Sequence, residues 1–229
     1  RVPFIPVHHI EGHIFSVFVS DAPPEFPFLA LVVSGGHTCL IECATPHQYR
    51  ILGTTRDDAV GESFDKVARL LGLPYPGGPS IQKAAEGGDP RSVRFPRGLA
   101  HSGDLAFSYS GLKTAVLYAL KKNDASEQAP SVADLAASFQ HAAIDVLVSK
   151  TKLAVETTQA KRLVLAGGVA ANRLLRERLT KELDVPVHLP PLALCVDNGA
   201  MIAAAGYSRL EHGFVGDLRA TPRANLPLT

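Results

Sequence analysis

Apolar residues recur along the chain with two different periods, and these periods predict its secondary structure. Short runs rich in β-branched residues, bounded by glycine or polar breakers, predict strands at residues 28–33, 38–43, 49–53, 163–166 and 185–189. Segments with apolar residues three and four positions apart predict helices at residues 4–20, 63–71, 110–121, 172–181 and 197–210. A further long helix should follow Ser131, whose hydroxyl can cap its first turn.

The order of these elements predicts an α/β protein. The first two strands are joined by Ser34-Gly35-Gly36-His37, a short glycine-bearing turn that favours a hairpin. The later strands alternate with helices, and we expect a turn at residues 74–79, a loop at residues 88–106 and a polar linker at residues 122–130. A hairpin meander followed by helix–strand alternation is typical of a lobe of the ribonuclease H type.

Composition narrows the class of protein. The sequence has 229 residues, 46% of them hydrophobic, which is enough for one large core or two small ones. A formal net charge of +1 gives little attraction for nucleic acid, so RNA binding would need a local basic patch such as Arg91, Arg94 and Arg97. Three cysteines without a repeated spacing indicate a reducing, cytoplasmic location. The sequence has no run of 18 apolar residues, so we expect no membrane partner.

His9 and His13 are the first candidate functional residues. Being four positions apart, they would lie on one face of the first predicted helix, and neutral imidazoles are good ligands for zinc or ferrous iron. Such pairs are common without a metal, so a third ligand is needed, and Asp197 at the last predicted helix could supply it. Glu11 would point off the face that holds the histidines, which distinguishes this run from the HExxH motif of metallopeptidases.

Two glycine pairs are candidates for binding a phosphate or a nucleotide. Gly35-Gly36 joins two strands, and Gly167-Gly168 follows a strand and precedes a helix that begins near Asn172. Backbone amides in such turns can approach a phosphate closely, although an ordinary tight turn explains the first pair equally well. Asp65 lies near a further glycine turn, where its carboxylate could either complement a helix dipole or bind ribose hydroxyls.

Seven motifs occur in an order that resembles a known family. They are Val7-His8-His9-Ile10-Glu11-Gly12-His13, Val33-Ser34-Gly35-Gly36-His37-Thr38, Gly61-Glu62-Ser63-Phe64-Asp65-Lys66, Tyr75-Pro76-Gly77-Gly78-Pro79, Phe107-Ser108-Tyr109-Ser110-Gly111-Leu112-Lys113-Thr114, Gly167-Gly168-Val169-Ala170-Ala171-Asn172-Arg173 and Asp197-Asn198-Gly199-Ala200-Met201-Ile202-Ala203. Each is weak alone, but together they resemble the bacterial branch of the TsaD family of tRNA threonylcarbamoyladenosine synthases, formerly labelled glycoproteases. The resemblance covers essentially the whole sequence.

The resemblance implies an actin-like ATPase (ASKHA) superfold with two ribonuclease H-like lobes. It implies transfer of the threonylcarbamoyl group of threonylcarbamoyl-adenylate to N6 of the adenosine 3′ of the anticodon, in tRNAs that read A-starting codons. Matched position by position, His9, His13 and Asp197 correspond to the family's ligands for one divalent ion, Fe²⁺ or Zn²⁺. The positions that correspond to its adenylate-binding residues are Val32, Val33, Ser34, Gly35, Gly36, Asp65, Gly78 and Asn172. No general base can be named.

The resemblance also implies partners and a division into lobes. The partners are tRNA, a TsaB-like paralogue, a TsaE-like ATPase subunit and an enzyme that makes the threonylcarbamoyl-adenylate. Residues 1–25 would belong to the first lobe with the metal-binding helix, residues 26–195 would form the second lobe, and residues 196–229 would return to the first. The sequence starts at Arg1 without the acidic, phosphate-facing loop that opens the family, so we expect an incomplete first lobe and no activity from residues 1–229 alone.

Two other functions stay open at this point. One is a metallopeptidase of the glycoprotease type, although the sequence lacks an HExxH motif and carries glycine motifs typical of adenylate binding. The other is a non-catalytic, actin-like binding subunit, similar to the paralogue that pairs with this family. Such a subunit is expected to lack the metal triad, so metal analysis of the purified protein would distinguish it from the transferase.

Overall fold

One mixed β-sheet organises the computed structural model, which describes residues 2–20, 22–123, 129–224 and 226–228. Its strands are β1 (Phe28–Val33), β2 (Thr38–Thr45), β3 (Gln48–Thr54), β4 (Leu163–Ala166) and β5 (Val187–His188), in the order β3-β2-β1-β4-β5. The first three strands pair antiparallel, whereas β4 and β5 continue the sheet in parallel from β1. The predicted α/β class and the hairpin meander are therefore confirmed.

Helices cover both faces of this sheet. Within the described ranges they are α1 (His9–Phe15), α2 (Val60–Leu70), α3 (Gly77–Ala84), α4 (Ser110–Asn123), α5 (Val132–Thr158), α6 (Arg173–Glu182) and α7 (Gly199–Glu211). Short 3₁₀ turns follow α1 and β4 and precede α7. The capping role predicted for Ser131 is confirmed, because its hydroxyl accepts a hydrogen bond from the Asp134 amide while the Asp134 carboxylate accepts one from the Ser131 amide.

The central strand β1 is buried on both faces, and its alternating side chains enter two different cores. Leu29, Leu31 and Val33 pack in a large cluster with residues from helices α2 to α6. Phe28, Ala30 and Val32 pack on the opposite face in a smaller cluster, which includes Ile10 and Ile14 of α1. Successive residues of a strand point to opposite faces, so β1 joins the two layers. This double burial explains why β1 is a continuous apolar run.

The first helix is shorter than predicted. It begins at His9 rather than at residue 4, because a residue that precedes proline, here Ile5 before Pro6, is disfavoured in the helical region. His8 is extended, and its Nδ1 accepts a hydrogen bond from the Ile10 amide at 3.1 Å, which caps the helix. His9 therefore lies in the first turn of α1 and His13 in its last turn.

The turn predicted at residues 74–79 is also partly wrong, because its second half forms the start of α3. Pro79 is the third residue of that helix. Proline is tolerated in the first helical turn, where its missing N–H has no partner within the helix. Glycine and proline thus mark a helix start here, although the same residues are typical of turns.

The C-terminal helix and the polar linker also differ from the prediction. Helix α7 begins at Gly199, and Asn198 caps it by accepting a hydrogen bond from the Met201 amide at 2.8 Å, so Asp197 precedes the helix. The linker predicted at residues 122–130 overlaps the end of α4, and residues 124–128 lie outside the described residues. Although α5 has 27 residues, no helix in the described part of the chain is long and apolar enough to cross a membrane.

We expect Phe139→Ala to lower the free energy of unfolding by about 3–5 kcal/mol, because it removes a fully buried ring from the larger core. The Phe139 ring lies 5.0 Å from that of Phe64, edge to face. Chemical denaturation measures the change. The control is Val132→Ala in the same helix, where the side chain is exposed and the expected change is about 0.5 kcal/mol or less. Equal effects of the two substitutions would contradict the position of this core.

Candidate functional site

The three side chains predicted as metal ligands converge at one point. His9 and His13 lie one turn apart on α1, and Asp197 lies two residues before α7. The Oδ1 atom of Asp197 is 3.5 Å from His9 Nε2 and 3.2 Å from His13 Nε2. One potential ligand atom from each residue lies within 4.8 Å of the other two. Tertiary structure thus assembles this triad from opposite ends of the chain.

The environment of His13 fits a metal ligand. Its side chain is only 1% exposed, and among the described residues neither ring nitrogen has a hydrogen bond, although Nε2 lies close to Asp197. A buried polar atom without a partner is costly, and coordination would satisfy it. Burial, with the adjacent His9, lowers the pKa of His13 to about 4, so the imidazole is neutral at neutral pH. Two neutral imidazoles and a carboxylate suit Zn²⁺ or Fe²⁺.

A cavity of about 440 Å³ extends to Val196, the residue before Asp197. Four of the residues matched to adenylate binding line it: Gly35, Asp65, Gly78 and Asn172. Its volume lies in the usual range for small-ligand pockets. Sequence reasoning missed other lining residues, including Gln82 and Leu192, since neither α3 nor the 3₁₀ turn before α7 was predicted.

Gly167 allows the turn after β4 to pack closely against the end of β1, beside this cavity. Its φ of 92° lies in the region that favours glycine, and a Cβ atom there would collide with the carbonyl oxygen of Val33. The turn after β4 therefore packs directly against the end of β1. This close approach places the Gly168–Ala171 turn beside the turn between β1 and β2.

Asp65 and Asn172 also build the wall of the cavity. Asp65 Oδ1 accepts a hydrogen bond from the Gly77 amide at 2.7 Å, which ties α2 to the start of α3. Asn172 Oδ1 accepts one from the Leu175 amide at 3.1 Å and caps α6, while its Nδ2 donates to Gln140 Oε1 at 2.9 Å. Both side chains therefore position helix N-termini at the cavity.

The remaining residues matched to adenylate binding lie outside the lining of this cavity. The side chain of Val32 packs in the smaller core and that of Val33 in the larger one. Ser34 is buried, and its hydroxyl accepts a hydrogen bond from the His37 amide at 3.1 Å. Gly36 lines a separate depression of about 300 Å³, together with His8 and His37. The structure therefore places Gly35 and Gly36 on different depressions.

Two further groups of predicted residues have structural partners. Arg97, in the basic loop, donates to Asp145 Oδ2 from Nε at 2.9 Å and from Nη2 at 2.7 Å, whereas Arg91 and Arg94 are exposed. The cysteines are free and buried as expected, and burial raises the pKa of the Cys39 thiol to about 12. Only part of the basic loop is thus available to RNA.

Glu11 does point away from the metal triad, as predicted, but it is completely buried. Burial opposes its ionisation, yet hydrogen bonds from His47, Tyr49 and Arg209 outweigh that effect and hold the pKa of Glu11 below its ordinary value. Glu11 is therefore a buried anion, which neither composition nor periodicity indicates.

Comparison with known proteins identifies the family. The family model described as "TsaD: tRNA N6-adenosine threonylcarbamoyltransferase" matches residues 1–204. The chain belongs to the TsaD family. Relatives named tRNA N6-adenosine threonylcarbamoyltransferase include those of Variovorax paradoxus, 56% identical over 92% of this chain, and Desulfitobacterium hafniense, 52% identical over 98% of it. The matches span 60% and 67% of those two proteins' own lengths.

Solved structures of HypF share the fold. The T. kodakarensis protein has a TM-score of 0.67 at 16% identity, and the match covers 89% of this chain and 36% of HypF. Full-length HypF in a phosphate- and nucleotide-bound form has a TM-score of 0.70 at 13% identity, covering 90% of this chain and 42% of that one. At this identity the likeness shows the fold alone, and it confirms the predicted actin-like class.

We expect His13→Ala, and separately His9→Ala, to lower the metal content of the purified chain at least about tenfold, because each removes one of three ligands. Elemental analysis after dialysis measures it. His101→Ala is the control, since this exposed histidine lies outside the triad. Unchanged metal occupancy in both triad variants would contradict the assignment.

We expect Gly78→Val to weaken AMP binding at least about tenfold, because its methyl groups would enter the cavity. A Cβ atom at Gly78 meets nothing within 4 Å, so the backbone needs no adjustment. Calorimetry gives the affinity. Gly111→Val is the matched control: Gly111 is also the second residue of a helix, has the same free space and lies outside the cavity lining. Equal affinity in both variants would exclude AMP from this cavity.

Proposed function

We propose that this chain takes part in transferring a threonylcarbamoyl group from threonylcarbamoyl-adenylate to N6 of the adenosine 3′ of the anticodon, in tRNAs that read A-starting codons. The observation that carries the proposal is the junction of the His9, His13 and Asp197 triad with the cavity at Val196. We infer the reaction from the chain's membership of the TsaD family. A site for a leaving adenylate beside a metal triad suits such a transfer.

The cavity suits the adenylate part of the donor. Helices α3 and α6 both begin at its wall, where the positive ends of their dipoles favour a phosphate. Gly35 and Gly78 leave room for the ligand to approach the backbone closely. In this proposal the Asp65 carboxylate, at the same wall, faces the ribose hydroxyls.

The triad suits the threonylcarbamoyl part. His9, His13 and Asp197 would hold one Fe²⁺ or Zn²⁺ ion, which when bound supplies Lewis acidity and a fixed orientation for carbonyl or carboxylate oxygens. With only three protein ligands, the site leaves coordination positions for substrate. Because Val196 lines the cavity and Asp197 belongs to the triad, the two parts of the donor would meet along one short segment.

In the reaction, N6 of the adenosine attacks the carbamoyl carbon, the bond from that carbon to the phosphate oxygen of AMP breaks, and N6 loses a proton. Backbone amides near Gly35 would stabilise the negative charge that develops on oxygen. An adenine amino group is a poor nucleophile, so much of the acceleration must come from positioning.

The structure favours this reaction over peptide hydrolysis. In an HExxH metallopeptidase the glutamate between the histidines acts as the general base. Here Glu11 has no exposed surface and accepts hydrogen bonds from three side chains, so it cannot reach a substrate. The buried, hydrogen-bonded Glu11 carboxylate therefore stabilises the fold and does not act as a general base.

The proposal includes tRNA, TsaB-like and TsaE-like partners, a synthase for the adenylate, and a cytoplasmic location. A net charge of +1 gives the chain little attraction of its own for RNA. We also propose that residues 1–25 and 196–229 share one lobe and residues 26–195 form another. Close packing of Gly12 in α1 against Met201 and Ile202 in α7 supports the pairing of the first and last segments.

We expect Asp197→Asn to lower the rate of threonylcarbamoyl transfer at least about a hundredfold, because a weaker ligand loses the charge stabilisation supplied at the triad. Because residues 1–229 alone are expected to be inactive, the assay uses the chain completed with the segments of a full-length relative that it does not cover. It supplies threonylcarbamoyl-adenylate with labelled threonine, the partner proteins and an unmodified tRNA transcript. Asp184→Asn is the matched control, since Asp184 is exposed and outside the triad. Full transfer by Asp197→Asn, or peptide cleavage without transfer, would overturn the proposed function.

A further inference from the structure

A buried hydrogen-bond network surrounds Glu11, which lies on α1 between the two candidate ligand histidines. Glu11 Oε1 accepts hydrogen bonds from His47 Nδ1 at 2.7 Å and from the Tyr49 hydroxyl at 2.8 Å. Its Oε2 accepts one from Arg209 Nη1 at 2.7 Å. One carboxylate therefore links α1 to the hairpin between β2 and β3 and to α7.

A second link joins the same hairpin to α7. His47 Nε2 lies 3.1 Å from Ser208 Oγ. With Nδ1 donating to Glu11, Nε2 can accept a hydrogen bond from the Ser208 hydroxyl, so both ring nitrogens have partners. The ring of Phe15 stacks on that of His47, with 5.7 Å between centroids. Helix α1, the β2–β3 hairpin and α7 are thus linked to one another through the Glu11 carboxylate and the His47 ring.

These links bear on the metal triad through α7. Asp197 lies just before the N-terminus of α7, and Arg209 lies in its last turn. Helix α1 contacts α7 in three places: through the triad just before its start, through Gly12 against Met201 and Ile202 in its first turn, and through Glu11 and Arg209 in its last turn. The Glu11–Arg209 pair thus adds a polar link about three turns away from the triad. Without this link the last turn of α7 loses its ion pair with α1, so the helix can tilt about its packed first turn.

We infer that Glu11 is a positioning residue: by binding Arg209 it holds α7 against α1 and so keeps Asp197 within reach of both His9 and His13. The inference rests on the proposed metal site. It adds a role for the glutamate of the HIEGH run, a carboxylate whose hydrogen bonds go to His47, Tyr49 and Arg209 and not to the three ligands. The alternative is that the network only stabilises the fold, and the experiment below separates the two.

The main variant is Glu11→Gln, which keeps the shape of the side chain. Its amide oxygen can still accept from His47 and Tyr49, but its NH₂ group would face the Arg209 guanidinium, donor against donor. We expect the dissociation constant for Co²⁺, added to the full chain as a probe, to rise at least about tenfold. We also expect the visible spectrum of the bound cobalt to change, while AMP affinity stays within about twofold because the cavity lies elsewhere.

Two controls separate positioning from general stability. Tyr49→Phe removes one hydrogen bond to Glu11 but leaves the contact with Arg209, so the melting temperature should fall while cobalt affinity stays within about twofold. Glu42→Gln disrupts another carboxylate–arginine pair, that with Arg50 on the exposed part of the sheet, and should change neither quantity by a measurable amount.

Arg209→Met provides a second route if Glu11→Gln does not fold. It removes the same contact from the α7 side and should weaken cobalt binding to a similar extent, and the double variant should lose less than the sum of the two single losses. Wild-type cobalt affinity and spectrum in Glu11→Gln would overturn the inference, as would an equal loss of affinity in Tyr49→Phe. Absence of cobalt binding by the unaltered chain would instead overturn the metal site, and the inference with it.

Discussion

Burial of β1 on both faces is the constraint on which the rest of the structure depends. One row of its side chains enters the core shared by helices α2 to α6, and the other row packs on α1. Since apolar burial is the main favourable term in folding, this strand decides where α1 and its histidines lie. At its end, the Val33 carbonyl leaves room only for glycine at position 167, which brings the turns around the cavity together.

The layer between the sheet and α7 combines apolar packing with polar groups that are costly to bury. His13 and Glu11 are both within it. The Glu11 carboxylate accepts hydrogen bonds from three side chains, whereas the nitrogens of the His13 ring have no hydrogen-bond partner among the described residues. The contrast separates the two roles proposed here, a carboxylate that holds elements together and an imidazole whose lone pair is kept free. A metal that binds only the folded chain would stabilise it by mass action.

The ends of strands β1 and β4 form the edge at which the cavity opens, and this is the usual place for ligands in α/β sheets. The metal triad lies at the contact between α1 and α7 instead. The two parts are built on different layers and meet at Val196 and Asp197. Small shifts of α7 would therefore move Asp197 relative to a cavity that belongs mainly to the other layer.

The sequence by itself determined the strands, most helices, the Ser131 cap, the family and the residues of the triad, because periodicity and short motifs are local and survive without tertiary context. Only tertiary structure decided the start of α3, since Gly77 and Pro79 suit a turn and a first helical turn equally. It alone placed Gly35 and Gly36 on different depressions. It also gave Glu11 its partners, because contacts between residues far apart in the chain leave no periodic signal in the sequence.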